Sequence, residues 1–134
     1  MAVNWYGDEV LAKVRAAAFI AVISSTEAVR ASAVNKIQSG SKTGRIYTRR
    51  SVVHQASAPG ESPASDTGAL AQSGRTEYNK DELQGSVVFS TAYAAALEYG
   101  TRKMENRPYA RPALAEELPE FEKKLAAEIA SVLQ

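Results

Sequence analysis

Apolar positions recur at helical spacing over the first part of the chain. Leu11, Val14, Ala18, Val22, Val29, Ala33 and Ile37 keep steps of three, four or seven, and Phe19 and Ile23 form an adjacent stripe. The pattern predicts one long helix from Gly7 to about Gln38. Its many alanines favour helix and let neighbours approach closely. Ser39-Gly40 supplies the stop, with Gly40 suited to the residue after a helix end. At 1.5 Å per residue such a helix is about 45 Å long. That exceeds the radius of a domain this small, so part of it is expected to cover a neighbour or stand exposed. A break at Ser24-Ser25-Thr26 is the competing reading.

The pattern then changes. Gly44 to Arg50 and Ser51 to His54 read as strands. Ala56 to Gly68 is rich in Ser, Ala, Pro and Gly and carries no packing pattern, as expected of an arm or open loop. A loop this long within a compact domain is usually functional or disordered. Asp66-Thr67-Gly68 is expected to cap a short helix from Ala69 to Ser73. Arg75 to Tyr78 and Leu83 to Thr91, joined by Asn79-Lys80-Asp81-Glu82, predict a hairpin in which Gly85 marks a bulge. A short helix from Tyr93 to Tyr99 ends at Gly100.

Pro108 and Pro112 frame an extended link, and Pro112 suits the first position of a last helix. There Leu114, Leu118, Phe121, Leu125, Ile129 and Val132 make the clearest stripe in the chain. Pro119 falls inside it and is expected to kink or restart the helix. The sum is an α+β fold: a long N-terminal helix and a C-terminal helix packed on a small antiparallel sheet, with a long extended loop. One domain, residues 1–134, accounts for it. Its parts are the long helix at 7–38, the basic strand and loop at 41–68, the two short helices and hairpin at 69–101, and the link and last helix at 102–134.

Composition narrows the chemistry. With 134 residues the chain can bury a core, and with no cysteine it has no disulfide, thiolate metal site or cysteine nucleophile. Sixteen basic and fifteen acidic residues balance to +1, so no global pull on nucleic acid is expected. The uncharged run Ala16–Ile23 is too short to span a bilayer, and Asp8 and Glu9 stand where a signal peptide would be basic; no membrane partner is expected. Charge is nevertheless segregated. Residues 42–50 hold Lys42, Arg45, Arg49 and Arg50 and no acid, and residues 102–111 are also mainly basic. Residues 112–134 hold Glu116, Glu117, Glu120, Glu122 and Glu128 against Lys123 and Lys124. Opposed patches of this kind suit head-to-tail docking between copies, although solvated faces explain them equally well.

A catalytic constellation is not visible. His54 lies in a basic, polar context with no second ligand spaced for a metal. Gly40-Ser41-Lys42-Thr43-Gly44 lacks the upstream glycine and buried strand of a phosphate loop. The loop serines have no nucleophile elbow around them. The paired glutamates after residue 115 are expected to point away from the apolar stripe and to favour the helix N-terminus. No enzyme activity, metal or cofactor is therefore expected. The basic arm Lys42, Arg45, Arg49 and Arg50 reads first as a charge-protected edge strand or partner-docking segment, and second as a nucleic-acid contact.

One stretch carries a resemblance. Tyr93 to Leu114 contains an aromatic, then Glu98-Tyr99-Gly100-Thr101, then Arg107-Pro108-Tyr109, then Pro112-Ala113-Leu114. It resembles the gene-10-like tail-component family of long-tailed phages, the tail-completion proteins of the lambda minor tail protein Z type. Residues 54–64 and 66–70 are similar to the same group, so the likeness spans about residues 44–134. Glu105-Asn106 departs from it, where Pro-Ala is common.

The resemblance implies a virion protein at the neck or upper tail, assembled in the bacterial host cytoplasm. It implies a ring of copies, sixfold like the tail, with connector or stopper proteins above and a tail-tube or terminator protein below. Non-specific DNA contact in the channel is possible under it, and a terminator or stopper ring is the alternative assignment. Its assembly residues are Glu98, Tyr99, Gly100, Thr101, Arg107, Pro108, Tyr109 and Pro112. Physically, Glu98 is expected to bond backbone donors or reach Arg107, Gly100 to permit a left-handed turn, and Arg107 to offer a forked donor from extended backbone.

Overall fold

A computed structural model of the chain describes residues 6–39, 46–49, 52–55, 68–103 and 105–133. Residues 56–67 of the loop expected at 56–68, and Lys42, Arg45 and Arg50 of the basic arm, lie outside them. The fold is α+β. Helix α1 spans Gly7–Ser39 and is followed by strands β1 (Ile46–Arg49) and β2 (Val52–Gln55). Next come helix α2 (Ala69–Gln72), strands β3 (Gly74–Asn79) and β4 (Gln84–Phe89), helix α3 (Ala94–Tyr99) and helix α4 (Ala110–Leu133). The strands form two separate antiparallel pairs, β1 with β2 and β3 with β4, rather than one sheet.

Helix α1 lies between β3–β4 and α4 and contacts both. It does not break at Ser24-Ser25-Thr26. The Thr26 hydroxyl donates to the Val22 carbonyl at 2.7 Å within the helix, and Ser25 donates to Glu117 of α4 at 3.0 Å. Both side chains are buried, and both are satisfied. The core gathers Val29, Ala33 and Ile37 of α1 against Leu70, Ala71, Ala94, Tyr109 and Ala113. The predicted stripe of α1 is thus used unevenly. Ala18, Val29, Ala33 and Ile37 are buried, whereas Leu11 is exposed. By length and composition Gly7–Gln38 is able to cross a membrane. In the fold 39% of its most apolar stretch is buried, including Ala17, Ala18 and Ala21.

Of the paired glutamates of α4, Glu116, Glu120 and Glu122 are exposed as expected, whereas Glu117 turns onto α1. Glu117 accepts from Ser25 and, at 2.6 Å, from Lys124. Glu116 accepts from Lys36 at 2.7 Å. On the other side of α1, Glu27 accepts from Thr76 and from the Tyr78 hydroxyl, both at 2.9 Å, and from Arg30. These bonds from Thr76, Tyr78 and Arg30 hold its carboxyl below the usual range. Phe19 meets the Tyr78 ring edge-on at 6.1 Å.

Several local expectations are corrected. Gly85 makes no bulge, since it pairs in regular register with Tyr78. A Cβ at Gly85 would lie 2.0 Å from the Thr26 hydroxyl, so glycine is needed for the close approach of β4 to α1. The cap of α2 is Gly68 itself, at φ 78°, without a side-chain bond. Helix α4 begins at Ala110, which makes Pro112 its third residue, and it continues through Pro119 without restarting. Leu114 and Leu118, the start of its apolar stripe, are half exposed.

Candidate functional site

The residues of the Tyr93–Leu114 stretch meet around one buried carboxylate. Glu98 is in α3, only 4% exposed, and faces the start of α4. Its Oε2 accepts from the backbone N–H of Tyr109 at 2.8 Å and of Ala110 at 3.0 Å. Its Oε1 accepts from the N–H of Arg111 at 2.8 Å and from the Arg111 guanidinium at 3.0 Å. The first turn of a helix leaves N–H groups without intrahelical partners. Glu98 takes three consecutive ones, and Pro112 has no N–H to satisfy. A carboxylate there also faces the positive end of the helix. Burial alone would raise the Glu98 pKa, but these backbone and guanidinium donors outweigh it and hold the carboxyl below its usual value.

Arg111 closes the arrangement. Its guanidinium also donates to the Glu98 backbone carbonyl at 2.8 Å and lies 4.7 Å from the Tyr99 ring centroid. Stacking with an exposed tyrosine adds a cation–π contact. Tyr109 is buried, donates its hydroxyl to the Ala94 carbonyl at 3.0 Å and packs edge-on against Phe89 at 5.0 Å. Burial, and then the Glu98 charge, push its pKa up to about 12. The Arg107 N–H donates to Leu97 O at 2.6 Å, which fixes the link to the end of α3.

Of the two roles expected of Glu98 the first holds, since it takes backbone donors, and the guanidinium that joins them is that of Arg111. One expectation changes. Gly100 has φ 80° and ψ 175°, so it lies outside the left-handed helical region, in a region essentially reserved for glycine. Tyr99 and Thr101 are exposed, while Pro108 is half-buried. Sequence reading missed Arg111 and Phe89. Neither stands at a spacing that links it to Glu98 or Tyr109, because the contacts join separate elements.

A second feature lies beside this knot. An apolar groove of about 530 Å³ runs between β4 and α4. Val22 and Val29 of α1 line it, with Val87 on one wall and Leu114, Leu118 and Phe121 on the other. Arg111 and Glu117 also border it, which places the groove next to the Glu98 cap. Among the described residues no group of three or more His, Asp or Glu side chains is placed to hold a metal. Arg49 is the last residue of β1, facing Val52 across the pair. Comparison with protein-family models, curated proteins and solved structures returns no match to this chain.

Proposed function

We propose that this chain is a non-catalytic structural subunit of a tailed-phage particle. In this reading it sits at the head–tail junction, in a ring that completes the tail or neck and joins it to the connector. The observation that carries the reading is the Tyr93–Leu114 stretch, whose sequence resembles that of tail-completion proteins. The structure gives those residues a physical role consistent with it. They lock α3, the link and the start of α4 into one unit around Glu98. A subunit that passes mechanical load between rings needs such a rigid connection. Terminator and stopper rings occupy adjacent places in the same neck, and the reading favours tail completion through the resemblance alone.

The test is localisation. Reconstruction of the particle that encodes this chain should place its density in a ring between connector and tail tube. Density in the capsid shell or the tail tip, or none in the particle, would overturn the proposal.

A further inference from the structure

We propose that the β1–β2 hairpin of one copy of this chain adds to the free edge of β4 in a second copy, filling the groove between β4 and α4. The proposal names a contact between neighbouring subunits, and so rests on the ring reading only for bringing copies side by side.

Four observations lead there. First, β4 pairs with β3 along one edge, and among the described residues its other edge has no strand beside it. A free edge presents backbone donors and acceptors that template a further strand. Second, that edge borders an apolar groove whose far wall, Leu114 and Leu118, is half exposed. A strand placed there would satisfy the edge and cover the apolar wall together. A helix in the same place would leave the edge unpaired.

Third, β1–β2 is a separate two-stranded pair with no substantial packing against another described element. A lone two-stranded hairpin is marginal in water and gains stability by joining a larger sheet. Its strands have four residues each and β4 has six, so one hairpin strand fits along β4. Fourth, charge is segregated along the chain. Residues 42–50 carry Lys42, Arg45, Arg49 and Arg50 with no acid, while α4 carries Glu120 and Glu122 beyond the groove; the groove itself is bordered by Arg111 and by Glu117, which also holds Lys124. Because donor hairpin and acceptor groove are different surfaces, the contact is heterologous and propagates from copy to copy, closing into a ring if the rotation allows.

The chain has no cysteine, so single introduced cysteines report the contact cleanly. One full-length copy carries Ser86→Cys on β4. A second carries Tyr47→Cys or His54→Cys, which are cross-strand partners on the hairpin. A collision control carries Ser131→Cys on exposed α4 surface. On mild oxidation, mixing the β4 copy with a hairpin copy should give disulfide-linked heterodimers well above the Ser131→Cys control. Changing Arg45, Arg49 and Arg50 to Glu, which gives the segment the same sign of charge as Glu117, Glu120 and Glu122 of α4, should lower that yield about tenfold. Heterodimers no more abundant than in the control would overturn the proposal. So would a crosslink that forms only when both cysteines are on one chain, since the hairpin would then close on its own groove. Particles whose heads and tails join without this protein would defeat the neck reading yet leave a positive crosslink standing. A negative crosslink would leave that reading intact.

Discussion

At the scale of single residues, Glu98 has the largest consequence. Three backbone donors and one guanidinium converge on it in a buried place. Glu98→Ala leaves those donors unsatisfied, at about 1–3 kcal/mol for a buried group that loses its partner. Chemical denaturation should show a loss of about 3 kcal/mol. Glu98→Gln keeps the shape but turns one acceptor into a donor facing N–H groups, so it should lose a similar amount. The pH dependence has a definite sign. The folded-state pKa of Glu98 is depressed, so its contribution is present above the unfolded value and disappears as pH falls through the folded one. The stability gap between wild type and Glu98→Gln should therefore be full at pH 7 and should narrow below about pH 4. A gap that is constant over that range would contradict the assignment of the charged carboxylate to the cap.

Tyr109 divides into two contributions. Tyr109→Phe removes only the hydroxyl bond to Ala94 and should cost about 1 kcal/mol. Tyr109→Ala also removes the ring that packs on Phe89 and should cost about 3–5 kcal/mol. Thermal melts of the two variants separate the terms. Gly100→Ala should be destabilising by about 1–3 kcal/mol, because φ 80° with ψ 175° is closed to side-chain-bearing residues.

Among the elements, β4 and α1 are fitted to each other by the absence of a side chain. Gly85→Ala would push a methyl into Thr26 and should cost about 1–3 kcal/mol by overpacking. Thr26→Ala in the same chain removes the clashing hydroxyl and should recover part of that loss, so the two changes should be less than additive in a double-mutant cycle. Additive losses would mean that the close approach does not set the cost. Pro119 lies well inside α4 and lacks a backbone donor there. Pro119→Ala should raise stability by about 1–3 kcal/mol.

The elements also show what periodicity is able to reveal. Helices α1 and α4 were legible because each repeats an apolar pattern over its own length, and the β3–β4 hairpin because polar turn residues separate two short strand-like runs. The turn, expected at 79–82 and found at 80–83, and the stop at Gly100 were legible from residue types with local conformational preferences. The buried face of α1 was less so, since alanine surrounds the helix and Leu11 is exposed while Ala33 is buried. The role of Gly85 was misread for the same kind of reason. Its cause is a residue 59 positions earlier, and glycine alone does not say whether it serves a bulge or a close approach.

At the scale of the whole molecule, the candidate site was only partly legible. The importance of Glu98, Gly100, Tyr109 and Pro112 could be read from one continuous stretch. The partnership of Glu98 with Arg111 depends on how α3 meets α4, and the groove requires α1, β4 and α4 together. No stretch of sequence contains that geometry. The separation of β1–β2 from β3–β4 was likewise invisible, because strand content does not say which strands share a sheet. Among the described residues, this separation leaves one edge of β4 without a neighbouring strand.

The central claim concerns joining of phage head to tail, so it is tested most directly by withholding the subunit and then returning it. A phage defective only in this chain should accumulate filled heads and separate tails, visible by negative-stain electron microscopy. Adding the purified protein to that mixture should restore joined, infectious particles. Heads and tails that join with normal efficiency in its absence would contradict the account.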